Sequence, residues 1–213
     1  MSAKIAGIYL AAGQSRRMGR PKLALELAPG SRLGSAALAE VLACPRLGEI
    51  VAVVRPDDPL EWAVGAEAAA SSGRIRFVPC PEAADGMSHS VRRGLAEALA
   101  GAPDAVLMVL ADQPFIKVDL LEALAAAYDG DASLDYAACR HGGIAHPPVL
   151  LGSSMFEAAM ALEGDVGARK LLSDPAWRGA LIEADSETAF ADVDTERDLA
   201  AAIQTMRRMR TSH

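Results

Sequence analysis

Short apolar runs alternate with helical patterns along most of this chain, and that rhythm restricts the fold more than any other feature. Ile5–Leu10, Ile50–Val54, Ile75–Val78 and Ala105–Leu110 are compact, apolar and in several places β-branched. Continuous runs of this kind suit strands buried on both faces, as in a parallel sheet. Between them, Ser35–Ala43, Leu60–Ala70, Ser88–Leu99 and Asp119–Tyr128 read as helices. Strand and helix in strict alternation imply β-α-β units, hence an α/β fold with a doubly wound, mostly parallel sheet and helices on both faces. Past Asp129 the rhythm changes. Tyr136–Cys139 and Val149–Leu151 read as a strand pair around a turn region at Gly142–Pro148, followed by helices at Ser154–Leu162 and Val166–Leu172. A strand near Leu181–Glu183 and a last helix running from an Asp194-Thr195 cap toward Met209 complete the pattern. Neither an internal repeat nor a linker divides the chain, so its 213 residues are expected to form one domain, 1–213.

Charge and cysteine usage narrow the function classes. Net charge is −7 with no dominant basic surface, so general nucleic-acid binding is not expected. The longest apolar stretches are far too short to span a bilayer. Met1–Lys4 leads into an apolar run broken by Gly13, Arg16 and Arg17, which does not read as a signal peptide. Cys44, Cys80 and Cys139 are scattered, odd in number and without C-x-x-C spacing, which suggests reduced thiols in a cytoplasmic protein.

The run Ile5–Leu10 ends in Ala11-Ala12-Gly13-Gln14-Ser15-Arg16-Arg17-Met18-Gly19-Arg20-Pro21-Lys22. In open α/β sheets ligands bind beyond the carboxyl ends of strands. Small residues let the backbone approach a ligand, and successive N–H groups form an anion nest. Arg16, Arg17, Arg20 and Lys22 add the positive charge that a polyphosphate needs. Neither G-x-G-x-x-G nor G-x-x-x-x-G-K-[ST] is present, so this is not one of the two commonest phosphate loops. A second candidate lies at Asp112, where Ala105–Leu110 runs into Ala111-Asp112-Gln113-Pro114. An acid there faces the same crevice, and magnesium needs only a few carboxylates beside phosphate oxygens and water. Asp192 or Asp194 is a candidate to complete the metal shell, and Asp194 reads equally well as the cap of the last helix.

The segment from Leu10 to Leu23, L-A-A-G-Q-S-R-R-M-G-R-P-K-L, resembles the signature loop of the MobA-like nucleotidyltransferases, and more closely their molybdenum cofactor cytidylyltransferase branch, which includes xanthine dehydrogenase accessory proteins. The resemblance covers essentially the whole chain and implies a nucleotide-diphospho-sugar transferase-like, Rossmann-like fold with a nucleotide-binding half (1–128) and an acceptor-binding half (129–213). It implies that Ala11–Ser15 wrap the base and ribose, with Leu10, Ala11, Ala12, Gly13 and Ser15 among the nucleotide-binding residues, that Arg17 and Lys22 contact phosphates, and that Asp112 holds Mg²⁺ or Mn²⁺. Gly86-Met87-Ser88-His89-Ser90 is similar to a segment near the base, which adds Gly86, Ser88 and Ser90. Ala12 stands where guanylyltransferase relatives usually carry glycine, and its methyl is expected to favour a pyrimidine.

On the acceptor side, Ala145-His146-Pro147-Pro148 resembles the family's G-H-P, and Gly164-Asp165-Val166-Gly167-Ala168-Arg169 its G-D-x-G-A-R. His146, Asp165, Gly167 and Arg169 are therefore acceptor candidates. Pro29–Ser35 departs from the family's G-G-K-P-L-L-like segment. The implied reaction moves CMP from CTP to the terminal phosphate of the molybdenum–pterin cofactor and releases pyrophosphate. Guanylyl transfer to the same acceptor, nucleotidyl transfer to a sugar phosphate, and a carrier that hands the cofactor to a molybdoenzyme are the alternatives.

Overall fold

The computed structural model describes residues 2–184 and 186–211. Along it run strands β1 (Ile5–Leu10), β2 (Glu26–Ala28), β3 (Ser31–Arg32), β4 (Leu47–Val54), β5 (Ile75–Pro79), β6 (Ala105–Leu110), β7 (Tyr136–His141), β8 (Ile144–Gly152) and β9 (Gly179–Glu183). The α-helices are α1 (Leu33–Ala43), α2 (Glu67–Ser71), α3 (Met87–Ala98), α4 (Val118–Gly130), α5 (Phe156–Met160) and α6 (Glu196–Thr211). The four apolar runs lie side by side and parallel in the order β5-β4-β1-β6. The sheet continues through β8, β7 and β9 to seven strands, with β8 antiparallel to both of its neighbours. This is the doubly wound, mostly parallel α/β sheet expected from the sequence.

Alternation along the strands divides the core into two layers. Ile5 and Tyr9 of β1 point into one layer with Leu38 and Val41 of α1, Leu121 and Leu124 of α4 and Leu199 of α6. Ala6 and Ile8 point into the other with Val91 and Leu95 of α3 and Ala159 of α5. A Cβ on Gly94 would lie 2.6 Å from the Ile8 side chain, so a side chain there would push α3 off the sheet. From β1 the chain winds through α1 to β4 on one side, while β5 leads through α3 to β6 on the other. Strand order therefore reverses between β1 and β6, and the crevice beyond their carboxyl ends is where sheets of this kind bind ligands.

Several local expectations are corrected. The alanine-rich stretch Leu60–Ala70 is helical only over Glu67–Ser71. Asp58 Oδ1 accepts from the Leu60 N–H and from Trp62 Nε1, and Leu60 and Gly65 take positive φ values of 56° and 85°. That turn buries Trp62 beside Tyr9 and Phe77, and core burial outweighs helix propensity. The turn expected across Gly142–Pro148 is confined to Gly142-Gly143, and His146, Pro147 and Pro148 belong to β8. Val166–Leu172 is not an α-helix; a 3-10 turn spans Ala168–Ser173 instead, and Ser154–Leu162 is helical as a 3-10 turn followed by the short α5. The unusual Pro29–Ser35 segment forms the β2–β3 turn at Gly30 and opens α1.

Cys44, Cys80 and Cys139 are free and buried, and burial pushes the Cys139 thiol up to about 12. Because the thiolate is the reactive form, all three are expected to resist a thiol reagent at pH 8 in the folded chain and to react in urea. Rapid labelling of any of them without denaturant would contradict this packing.

Candidate active site

The loop after β1 is built to present Lys22. Beyond β1, the Ala11 N–H donates to Val53 O, and the Ala111 N–H donates to Leu10 O, so the strand ends stay zipped to the loop's entrance. Ser15 sits at φ 52° and its carbonyl accepts from the N–H groups of Met18 and Gly19, which folds the loop back on itself. Met18 anchors the return by burying its side chain. Ser15 Oγ accepts from the Lys22 N–H at 3.2 Å, and Lys22 opens a short 3-10 turn. Lys22 is 5% exposed, an unusual place for an ammonium unless it is paired.

Two carboxylates pair it. Lys22 Nζ donates to Asp112 Oδ2 at 2.7 Å and to Asp194 Oδ1 at 2.7 Å. Burial alone would lower the Lys22 pKa, but the Asp112 and Asp194 carboxylates outweigh it and hold the pKa above the usual lysine value. Arg17, largely in solvent, donates to Asp194 Oδ2 at 3.0 Å. Arg20 forms a bidentate pair with Glu196. Asp192 stands at the exposed rim, where desolvation and then the Asp112 charge raise its pKa. Gln113, buried beneath, donates from Nε2 to Asp192 Oδ1 at 3.0 Å and to Phe190 O.

The turn before α6 separates the two readings of Asp194. Thr195 Oγ1 accepts from the Asp198 N–H, and Asp198 Oδ2 accepts from the Thr195 N–H at 2.8 Å, a reciprocal cap. Thr195 and Asp198 therefore cap α6, while the Asp194 carboxylate faces Lys22 and Arg17. The Val193 N–H donates to Asp112 O and ties this turn to the end of β6. Thr195→Ala is expected to lower stability by about 0.5–2 kcal/mol, read from a urea midpoint. An unchanged midpoint would remove Thr195 from the cap.

These groups line a crevice of about 450 Å³ between the first loop and the Ala83–Met87 segment. Such a volume lies in the range of small-molecule sites. Arg16 crosses it to donate to Ala84 O at 2.9 Å. Gly86 takes φ 142°, and a Cβ there would lie 2.5 Å from Gly164 O, so glycine is required where the two walls meet. Asp165 Oδ1 accepts from the Met87 N–H at the start of α3. Leu10–Gly13, Ser15, Arg17, Lys22, Gly86, Ser90, Asp112, Asp165, Asp192 and Asp194 all line the crevice. Ala12 does so with little surface, since it is 3% exposed and its methyl belongs to the core layer of Ile8 and Val91.

Other candidates stand apart. Ser88 is fully buried, away from the crevice lining. His146, Gly167 and Arg169 are likewise outside that lining. His146 stacks on Phe190 with ring centroids 4.7 Å apart, and burial, then the Arg169 charge, lowers its pKa. Gly167 packs against Met87. Gln113 and the Ala83–Asp85 wall were not singled out from the sequence, and Arg16 was named there only as a phosphate-binding charge; Gln113 was legible as Asp112's neighbour, whereas the wall and its contact with Arg16 depend on the fold.

The arrangement offers hard oxygen donors at the floor and guanidinium and backbone groups above, a set suited to phosphate and a small divalent cation. Among the described residues no three His, Cys, Asp or Glu side chains converge as a closed metal cage. Magnesium, which keeps water and phosphate oxygens among its ligands, does not need one.

Comparison with known proteins agrees with this chemistry. The family described as "MobA-like NTP transferase domain" matches residues 7–181. Purine catabolism protein PucB of Bacillus subtilis (strain 168) is 37% identical over 201 residues, which span 92% of this chain and 95% of that protein. The molybdenum cofactor guanylyltransferase of Rhodobacter capsulatus is 35% identical over 126 residues, 58% of this chain and 59% of its own length. Among solved structures, the homologue from Mycobacterium sp. strain JC1 of Mycobacterium tuberculosis Rv0371c superposes with a TM-score of 0.75 at 23% identity, covering 98% of this chain and 100% of that one.

Proposed function

The chain belongs to the MobA-like NTP transferase domain family, and we propose that it transfers CMP from CTP to the terminal phosphate of a molybdenum–pterin cofactor. The single observation that carries this reading is the Lys22 ammonium held between Asp112 and Asp194 at the floor of a crevice lined by the first loop. The residues of 1–128 take the nucleotide, and those of 129–213 contribute Asp194 and the acceptor groups.

In this reading the triphosphate lies along Ala11–Arg17, with its phosphates on Lys22 and Arg17. An ionised oxygen of the acceptor phosphate attacks the α-phosphorus, the bond to the bridging oxygen breaks, and pyrophosphate leaves. The acceptor needs no general base, because its phosphate is already an anion at neutral pH. Catalysis is then positioning and neutralisation of charge. Asp112 and Asp194 would hold Mg²⁺, with Mn²⁺ as a substitute, and Asp192 would be the alternative second ligand. The donor set fits: two carboxylate oxygens already share one small cation, the ammonium. Bound there, magnesium would offset the negative charge of the phosphates.

A charge count supports the need for metal. Around the crevice the carboxylates of Asp85, Asp112, Asp165, Asp192 and Asp194 outnumber the cations of Arg16, Arg17 and Lys22, so a polyphosphate entering without a divalent cation meets a net negative lining. His146, with its pKa lowered, is a neutral imidazole that donates or accepts toward the pterin, and Arg169 pairs with the acceptor phosphate. The buried, unpaired thiols suit a cytoplasmic setting. In the carrier alternative, the recipient of the cofactor is a molybdoenzyme.

The choice of CTP rests on Ala12. Its methyl packs in the core layer of Ile8 and Val91, so it would act on the base only through the position that this packing gives the crevice wall, a tighter wall favouring the smaller base. The Rhodobacter capsulatus relative, a guanylyltransferase by name, favours the second reading, guanylyl transfer to the same acceptor. Turnover of CTP and GTP measured side by side decides between them. A CTP preference that weakens in Ala12→Gly is expected, and a clear GTP preference in the unaltered chain would sink the cytidylyl assignment.

A further inference from the structure

Lys22 engages the same two carboxylates that a divalent cation would use. Its ammonium lies 2.7 Å from an oxygen of each, and the side chain is almost wholly buried, while Asp112 and Asp194 keep a quarter and a third of their side-chain surfaces open. The backbone leaves Lys22 little freedom, since its N–H is held by Ser15 Oγ and its carbonyl by the Leu25 N–H. Only the flexible four-carbon stem can move. A divalent cation on those oxygens would stand close to the ammonium, and like charges at such separations repel strongly in a partly dry site. Anionic phosphate oxygens supply what both cations lack.

We propose that Lys22 makes metal binding conditional on nucleotide: its ammonium guards Asp112 and Asp194 until a triphosphate draws it onto the phosphate chain. This inference rests on the metal-site reading above and adds an order of events to it. Lys22 gives up the two carboxylates as the nucleotide arrives, and the divalent cation enters with the phosphates rather than before them. A lysine serves here better than an arginine, because a compact ammonium on a flexible stem can exchange one set of oxygens for another.

Titration of Mn²⁺ into the full chain, followed by the electron paramagnetic resonance of the free ion, tests the inference without turnover. The unaltered chain is expected to bind Mn²⁺ at least about tenfold more tightly with a non-transferable α,β-methylene CTP analogue than without it. Lys22→Met, or Lys22→Gln if the first fails to fold, is expected to bind Mn²⁺ without nucleotide at least about tenfold more tightly than the unaltered chain. Adding Asp112→Asn to either variant is expected to abolish that gain. Equal Mn²⁺ affinity in the unaltered and Lys22 variants, without nucleotide, overturns the guarding role and leaves the metal site standing. Tight Mn²⁺ binding that survives Asp112→Asn overturns the metal-site reading itself.

Discussion

Asp112→Asn is expected to slow nucleotidyl transfer on the order of 10²-fold or more while the chain stays folded. The carboxylate sits at the end of β6, in the crevice where strand order reverses, and is one of two that bracket Lys22. Asparagine keeps the shape and one acceptor oxygen, so Lys22 retains Asp194 and a neutral partner. What the variant loses is the charge that would hold a divalent cation against the phosphates. Steady-state rates at saturating metal, with a thermal melt of the same sample, separate loss of function from loss of structure. Near-normal activity in Asp112→Asn would refute the metal assignment.

Lys22→Met is expected to cost a similar factor, on the order of 10²-fold or more, for a different reason. In the proposed reaction the ammonium follows the negative charge that develops on the departing pyrophosphate, and a methionine stem fills the same space without doing so. The expected signature is a fall in kcat larger than any change in KM for the acceptor. Combined with the metal titration above, this variant is expected to bind Mn²⁺ more tightly yet turn over more slowly. A rate within a few-fold of the unaltered chain would remove Lys22 from the reaction.

The parts of the fold legible in the sequence are those where local pattern and tertiary demand agree. The runs at Ile5–Leu10 and Ala105–Leu110 coincide with β1 and β6, because strands buried on both faces show an unbroken apolar signature. Trp62 shows the opposite case. Its neighbours favour a helix, but the indole is needed in the core and the backbone turns at Leu60 to deliver it. Pro147 and Pro148 read as a turn, yet they occupy a strand whose pairing register shifts beside them, between Ala138 and Cys139 of β7.

In the site, sequence spacing located the first loop and Asp112, since both follow strands. It left Asp194 undecided between cap and ligand, although Thr195-Glu196-Arg197-Asp198 carries a readable capping pattern that frees it. Contacts that join distant segments, such as Arg16 to Ala84 and Gly86 to Gly164, have no local signature. Ser88 illustrates the remaining gap: a hydroxyl at a helix start invites a binding role, but its place on α3 turns it into the core.

The most direct test of nucleotidyl transfer uses α-labelled CTP, Mg²⁺ and the purified molybdenum–pterin cofactor. Pyrophosphate release that requires the acceptor, with one label transferred to the pterin phosphate for each pyrophosphate formed, is the predicted result. Binding of cofactor and nucleotide with neither label transfer nor pyrophosphate, for any of the four nucleoside triphosphates, would contradict the account and favour a carrier.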